Sequence, residues 1–474
     1  MIIASIAWIN RGFILVAKVF SDLKTRVSSL EATRIVGQVQ SIVGMTMTAA
    51  GLKRAAGIGQ RCVVKGARGP VMAEIVGASS DGLKLLPFGS WDGVAVGDDV
   101  EIVQHDPGIS PDDSWIGTVV DGLGKPLSAA PRFKTGRGRR SSGRAEPPPA
   151  FARRRVGQKL STKVKCMDVF TPLCQGQRMG VFAGSGVGKS TLMAMLARNT
   201  NADVIVIGLV GERGREVQEF IQEDLGPEGM ARSVVVVATG DEAPLLRRQA
   251  AWTATAVAEH FRSTGRQVLL LLDSVTRFAM AQREIGLSSG EPPTTKGYPP
   301  TVFSELPHLL ERAGPGREGE GDITAIYTVL VDGDDMNEPI ADAIRGILDG
   351  HMVLDRAIAE RGRYPAINIQ KSISRMLPAC HSDEEYAIMN EARRALARYA
   401  DMEDLIRVGA YKPGTDPEVD AAMRFAKVAE TFLSQRKSDT MMSDQSFAEL
   451  YRMLLEAGID VPIDVAAVDQ PSAA

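Results

Sequence analysis

Residues Ala183-Gly184-Ser185-Gly186-Val187-Gly188-Lys189-Ser190 carry the clearest chemistry in the chain: glycines at alternate positions, then a lysine and a hydroxyl. Glycines let backbone N–H groups converge on anionic oxygens with no side chain in the way. A lysine closing such a loop supplies a point charge to β- and γ-phosphates, and the hydroxyl after it a ligand to Mg²⁺. The candidate phosphate-binding set is therefore Gly184, Ser185, Gly186, Val187, Gly188, Lys189, Ser190 and Thr191, with Ser190 also a candidate metal ligand. Met179–Phe182 before the loop reads as a buried strand. Thr191–Arg198 after it reads as the first turns of a helix, whose N-terminus adds its positive dipole end at the same place. Strict P-loops open on glycine where this chain has Ala183, a small change at the strand exit.

Two further apolar runs end in acids. Val268–Leu272 leads into Asp273, where a P-loop enzyme places the carboxylate that holds the Mg²⁺ water shell opposite the hydroxyl. Val210-Gly211-Glu212-Arg213 follows another buried run. A carboxylate there suits polarising a water for in-line attack, with Arg213 orienting it or touching phosphate. A salt-bridge cluster at a helix start fits the same spacing equally well.

The elements that must position these groups alternate in type. Candidate strands Asp203–Val210, Ser233–Ala238, Gln267–Leu272 and Ile323–Leu330 interleave with helical patterns, which predicts an α/β domain with a largely parallel sheet. Ahead of it, short glycine-punctuated runs at Ile35–Val39, Arg61–Val64, Val71–Val76 and Asp98–Val103 predict a small barrel or sandwich, with Trp115–Gly124 closing that region. After Pro378 the texture is helical, near 384–407, 417–434 and 446–457. The expected division is an amphipathic helix over 1–31, a barrel over 32–125, a linker over 126–155, the core over 156–380 and a helical domain over 381–474.

Residues Ile6, Ile9, Phe13, Val16, Phe20, Leu23, Val27 and Leu30 step by threes and fours, one stripe of a helix that docks on its own domain, a partner or a membrane surface. Neither apolar run of that segment reaches the roughly 18 residues a spanning helix needs. Arg132–Arg155 holds nine Lys/Arg, one acid and three consecutive prolines, the composition of an extended tether. The net charge of −3 argues against a dedicated nucleic-acid binder. Cys62, Cys166, Cys174 and Cys380 form no CxxC pair, which predicts inert thiols in a reducing compartment and no zinc site.

Pro365-Ala366-Ile367-Asn368-Ile369-Gln370-Lys371-Ser372-Ile373-Ser374 resembles the P-A-[LIV]-[DN]-x-x-x-S-x-S signature of the α/β subunits of rotary ATP synthases at every fixed position, and Gly211-Glu212-Arg213 and the P-loop agree. Within that family, Phe182–Ser190, Pro172–Arg178 and Ser374-Arg375-Met376 are similar to the type III protein-export ATPases, flagellar and virulence-associated. The resemblance runs from about Ile35 to the C-terminal helices. It implies a RecA-like P-loop NTPase core of the α/β class, an N-terminal β-barrel and a C-terminal helical domain, with ATP and Mg²⁺ as ligands. It further implies that Lys189 and Ser190 bind phosphate and metal, Glu212 activates the water with Arg213 in support, and Asp273 is the Mg²⁺-side acid. Arg375 matches an arginine finger that reaches a neighbouring subunit's nucleotide, and Tyr364 the aromatic that stacks on adenine. Both halves of an interface in one chain imply a homo-hexamer. The implied place is the cytoplasm at an inner-membrane export apparatus. The implied partners are a stator-like regulator at the N-terminal helix, a central-stalk-like component, the membrane export gate, and export substrates with their chaperones. Export of flagellar proteins is the leading expectation; virulence secretion and a rotary-synthase catalytic subunit are the alternatives.

Overall fold

The structure, a computed structural model, describes residues 34–462 apart from 104–107, 128–140, 142, 332 and 334, so the expected N-terminal helix over 1–31 lies outside the described residues. The chain divides into two compact units, Met1–Asp106 and Pro107–Ala474. The first is a closed antiparallel barrel in the order Val36–Val43, Thr46–Ala50, Leu83–Pro87, Gly69–Ala78, Arg61–Gly66, Asp99–Ile102 and back to Val36–Val43. Alternation sets its interior: in Arg61–Gly66, Cys62 and Val64 point inward to meet Met47, Ile75, Leu85 and Val100. Closure leaves no unpaired edge.

The second unit is built on a sheet in the order Ile373–Ser374, Gly350–Leu354, Arg178–Ala183, Asp322–Leu330, Val268–Asp273, Val204–Glu212, Ser233–Thr239 and Thr118–Asp121. The pairings are parallel except at Ile373–Ser374 and at the short strand Gly314–Pro315 beside Asp322–Leu330. Strands buried on both faces read as continuous apolar runs, which is why Val204–Val210 and Val268–Leu272 were visible from sequence. Helices Lys189–Asn199, Pro244–Ser263 and Val275–Ser289 cover the faces. The C-terminal helices Asp383–Arg407, Pro417–Leu433 and Ser443–Glu456 share one core with a sheet face, through Met389, Phe425, Phe432 and Leu450 packed in a cluster with Val181, Leu196 and Leu269. No helix among the described residues is long and apolar enough to cross a membrane.

Two expectations need correction. The run expected to close the barrel domain by residue 125 instead supplies Thr118–Asp121, which pairs in parallel with Ser233–Thr239 at the edge of the central sheet. Four apolar-rich residues suit either sheet, and only the partner strand decides. The expected tether is clamped where it is described. Arg153 donates to the carbonyls of Glu311 and Ala313, just past helix Pro300–Leu310, where orphan carbonyls and the negative dipole end attract a guanidinium. Arg154 pairs with Asp322 at 2.7 Å, and the buried Arg312, held by both oxygens of Glu259, donates to the carbonyl of Gly143 at 2.7 Å.

Candidate active site

The parallel strands Arg178–Ala183, Val204–Glu212 and Val268–Asp273 end on the same side of the sheet, and their ends bring the chemistry together. Ala183 is the last residue of its strand and fully packed, paired with Leu330 and Leu354, so its methyl sits in the core rather than in the loop. The loop then turns through Gly186 and Gly188 at φ +80° and +92°, and Lys189 and Ser190 open the helix Lys189–Asn199. Ser190 is exposed and Thr191 half-buried at its first turn.

The Lys189 ammonium lies 2.5 Å from Asp273 Oδ1 and 3.3 Å from Glu212 Oε1. Burial works against its charge, but the two carboxylates outweigh it and hold the lysine above its usual range. Asp273 ends its strand and accepts a second hydrogen bond from the buried Thr328 hydroxyl at 2.7 Å. That hydroxyl belongs to the neighbouring strand Asp322–Leu330 and fixes the carboxylate's rotamer. Two carboxylates and one ammonium leave a net negative site, which suits a divalent cation brought in with a polyphosphate.

Glu212 reaches this cluster because Gly211 breaks the strand register. The pairing with Ser233–Thr239 slips between Val210 and Glu212, and Gly211 has φ +76°. A Cβ at Gly211 would come 2.8 Å from the Cβ of Arg277. Gly211→Ala is therefore expected to cost about 1–3 kcal/mol of stability from backbone strain, before the clash with Arg277 is counted. It should also carry Glu212 off Lys189, so that thermal melting and ATP turnover fall together. An alanine variant with the melting point and rate of the parent would contradict the bulge. Burial raises the Glu212 carboxyl above the ordinary range; Lys189 opposes this, while Asp273 and a hydrogen bond with Glu216 add to it.

Arg213 does not join the cluster. Its side chain is 82% exposed and pairs with Glu216 at 3.2 Å, so it meets Glu212 only through that second acid. Arg277, one helical turn past Asp273, packs its aliphatic stem on Gly211, with its Nε buried and unpartnered. Sequence reading passed over it, although an arginine four residues beyond a strand-end acid is a signal that spacing does offer.

Tyr364 lies against the loop: a Cβ at Gly188 would be 3.1 Å from its Cδ1. Its ring remains 42% exposed. Tyr364 O accepts from the backbone N–H of Gln435 at 2.7 Å, and neighbouring Arg363 pairs with Glu430 at 3.1 Å, so the helix Pro417–Leu433 and its C-terminal end hold this ring in place.

Arg375 stands elsewhere. It follows Ser374, which pairs with Gly350 at the start of the strand Gly350–Leu354, whereas the loop leaves Ala183 opposite Leu354 at the other end. That offset is roughly 13 Å at about 3.3 Å per residue. Arg375 is exposed there, so within one chain it does not meet the Lys189 cluster.

Comparison with known proteins follows the same outline. The model of the ATP synthase alpha/beta family, nucleotide-binding domain, matches residues 163–374, and that of the T3SS EscN ATPase C-terminal domain matches 381–452. The flagellum-specific ATP synthase of Caulobacter vibrioides is 50% identical over 439 residues, 91% of this chain and 99% of that protein. Its namesake in Bacillus subtilis is 48% identical, covering 87% of this chain and 94% of that one. Among solved structures, the assembled ATPase EscN of the enteropathogenic E. coli type III secretion system superposes with a TM-score of 0.82 at 40% identity, over 88% of this chain and all of that one. EscN in complex with its central stalk EscO gives 0.79 at 39%. With its P-loop, its strand-end carboxylates and relatives matched along nearly their whole length, the chain belongs to the flagellum-specific ATP synthase family, ATPases of the ATP synthase alpha/beta type.

Proposed function

We propose that the chain hydrolyses ATP as a homo-hexameric ring and energises export of flagellar proteins through a type III export apparatus at the inner membrane. The observation that supports this is that Lys189 with Asp273 and Glu212 lies at one end of the sheet while Arg375 stands exposed at the other within one chain. A ring of identical copies brings the Arg375 end of one protomer to the Lys189 end of the next.

In this reading the loop Gly184–Gly188 and Lys189 hold the phosphates. Ser190 and Asp273 hold Mg²⁺, which when bound offsets charge on the phosphoryl oxygens. Ser190 at the helix start and Asp273 at a strand end 2.5 Å from Lys189 are the hard oxygen donors such an ion takes, and the net negative cluster fits its charge. Glu212 takes the proton of the attacking water. Arg213 supports it through Glu216. Tyr364 stacks on adenine, and Arg375 reaches across to the neighbour's phosphates.

The flagellar system is favoured over virulence secretion by identities of 50% and 48% to flagellum-specific relatives, against 40% to EscN. A central-stalk-like partner is supported by the EscN–EscO complex. A stator-like regulator at the N-terminal segment, the export gate, and export substrates with their chaperones complete the proposed set, with no nucleic acid among them.

ATP turnover per protomer measured against protein concentration tests the reading. It should rise steeply through the range where rings assemble, with Lys189→Ala losing both nucleotide binding and turnover at every concentration. A specific activity that stays constant down to the monomer would remove the shared pocket.

A further inference from the structure

The four cysteines, scattered in sequence, are not equivalent in space. Burial pushes the Cys62 thiol up to about 12 and the Cys166 thiol up to about 11, so both are inert. Cys174 and Cys380 instead come together, each thiol shifting the other's titration, although more than half the second unit separates them in sequence. Cys174 ends the short strand Leu173–Cys174 and pairs across it with Lys159. The Lys159 ammonium reaches His381 Nδ1 at 3.4 Å and Glu385 Oε1 at 3.2 Å, which fixes the residue after Cys380 over this strand. The other ring nitrogen of His381 donates to the carbonyl of Val169 at 2.8 Å.

The two sulfurs have different roles. Cys174 is buried, and the neighbouring Cys380 together with that burial holds its thiol well above the usual value. Cys380 is half-buried; Cys174, with His381 and Lys159 nearby, brings it down to about 7 against the cost of burial. A reachable thiolate beside a protonated, sheltered thiol is the arrangement of an attacking and a resolving cysteine.

We propose that Cys174 and Cys380 form a reversible disulfide, with a hydroperoxide as oxidant, and that this bond fastens the segment carrying Arg375. Oxidation proceeds in two steps. The Cys380 thiolate attacks one peroxide oxygen; an S–O bond forms, the O–O bond breaks, and hydroxide leaves to be protonated as water. The Cys174 sulfur then attacks the Cys380 sulfur; an S–S bond forms, the S–O bond breaks, and the Cys174 proton leaves with the hydroxide as a second water. Two electrons pass from the thiols to the peroxide.

The segment is already tied at its other end. Ser374 Oγ donates to the carbonyl of Pro172 at 2.8 Å and accepts from Gln177 Nε2 at 3.0 Å, and Gln177 Oε1 in turn accepts from the Cys174 backbone at 2.9 Å. A disulfide would pin Ser374–Cys380 at both ends to the one turn Pro172–Gln177, with Arg375 between the pins. This control of turnover rests on the trans role proposed for Arg375; formation of the bond does not.

The test uses the full chain, reduced and then treated with limiting hydrogen peroxide. Peptide mapping without reductant should find Cys174 linked to Cys380, with a loss of two hydrogens and of both free thiols, reversed by dithiothreitol. Cys62 and Cys166 should stay alkylatable on unfolding. Cys380 carried on to sulfinic acid with Cys174 still free, or chains cross-linked to one another through Cys380, would overturn the site. Turnover should fall in step with the linked fraction and return with dithiothreitol, while Cys380→Ser ignores peroxide. Complete linkage in the parent chain with unaltered turnover would overturn the control of Arg375 and leave the shared-pocket reading to its own concentration test.

Discussion

Glu212→Gln is expected to bind ATP as the parent does and to hydrolyse it about 10²–10⁴-fold more slowly, the usual contribution of a positioned general base. The amide has the size of the carboxyl, so the Gly211 bulge, the strand end and the 3.3 Å approach to Lys189 are kept. What disappears is the property the proposed role requires of this position, a carboxylate ready to take a water's proton. Binding of a fluorescent nucleotide and phosphate release, measured on the same preparation, separate the two effects. A glutamine variant hydrolysing at the parent's rate would remove Glu212 from the mechanism.

The pH profile gives an independent check. Burial raises the Glu212 carboxyl above the ordinary glutamate range, Lys189 opposes this, and Asp273 and the hydrogen bond the Glu212 carboxyl donates to Glu216 raise it further. In the proposed role the carboxylate is the active form, so turnover should be lost as pH falls through this raised value, earlier than for an ordinary glutamate. Glu216→Gln takes away one of the groups that raises it, so the acid limb should shift to lower pH while ATP binding is unchanged. An acid limb that does not move, or moves upward, would separate Glu216 from the base.

Arg375→Ala should give a chain that folds, assembles and binds ATP but turns over roughly 10³–10⁵-fold more slowly, the range found for fingers supplied in trans. Arg375 is exposed and its backbone N–H, not its side chain, makes the bond to Asp349 O, so the truncation leaves the local structure in place. Mixing makes the expectation sharper. In the proposed reading, Lys189→Ala keeps the finger and lacks the cradle, while Arg375→Ala keeps the cradle and lacks the finger. Each should be inactive alone, and co-assembled rings should contain interfaces where an intact cradle faces an intact finger. Turnover should therefore reappear on mixing. Two dead variants that remain dead in verified mixed rings would mean that each chain completes its own pocket.

Much of this protein was readable before any fold was known, and the readable parts share a physical origin. The P-loop, the strand leading into Asp273 and the helices after Pro378 are encoded by residues a few positions apart, where backbone geometry turns spacing directly into placement. Glu212 was legible only as a strand-end acid that a helix-start salt bridge fits equally well; the bulge at Gly211 that brings it to Lys189 was decided by the fold.

Tertiary structure decided the matters that depend on partners distant in the chain. Thr118–Asp121 has the composition of a barrel strand, yet Ser233–Thr239 claims it for the central sheet. The arginines of the linker look like a solvated tether until the carbonyls of Glu311 and Ala313 and the carboxylate of Asp322 are seen to receive them. Arg213 turns outward to Glu216 while Arg277 takes the place beside Gly211, and Cys174 meets Cys380. The sequence by itself determined which groups are available and how each element is built. Which distant donor, charge or sulfur each one meets was set by packing, because hydrogen bonds and ion pairs close over a few ångströms of space however many residues lie between.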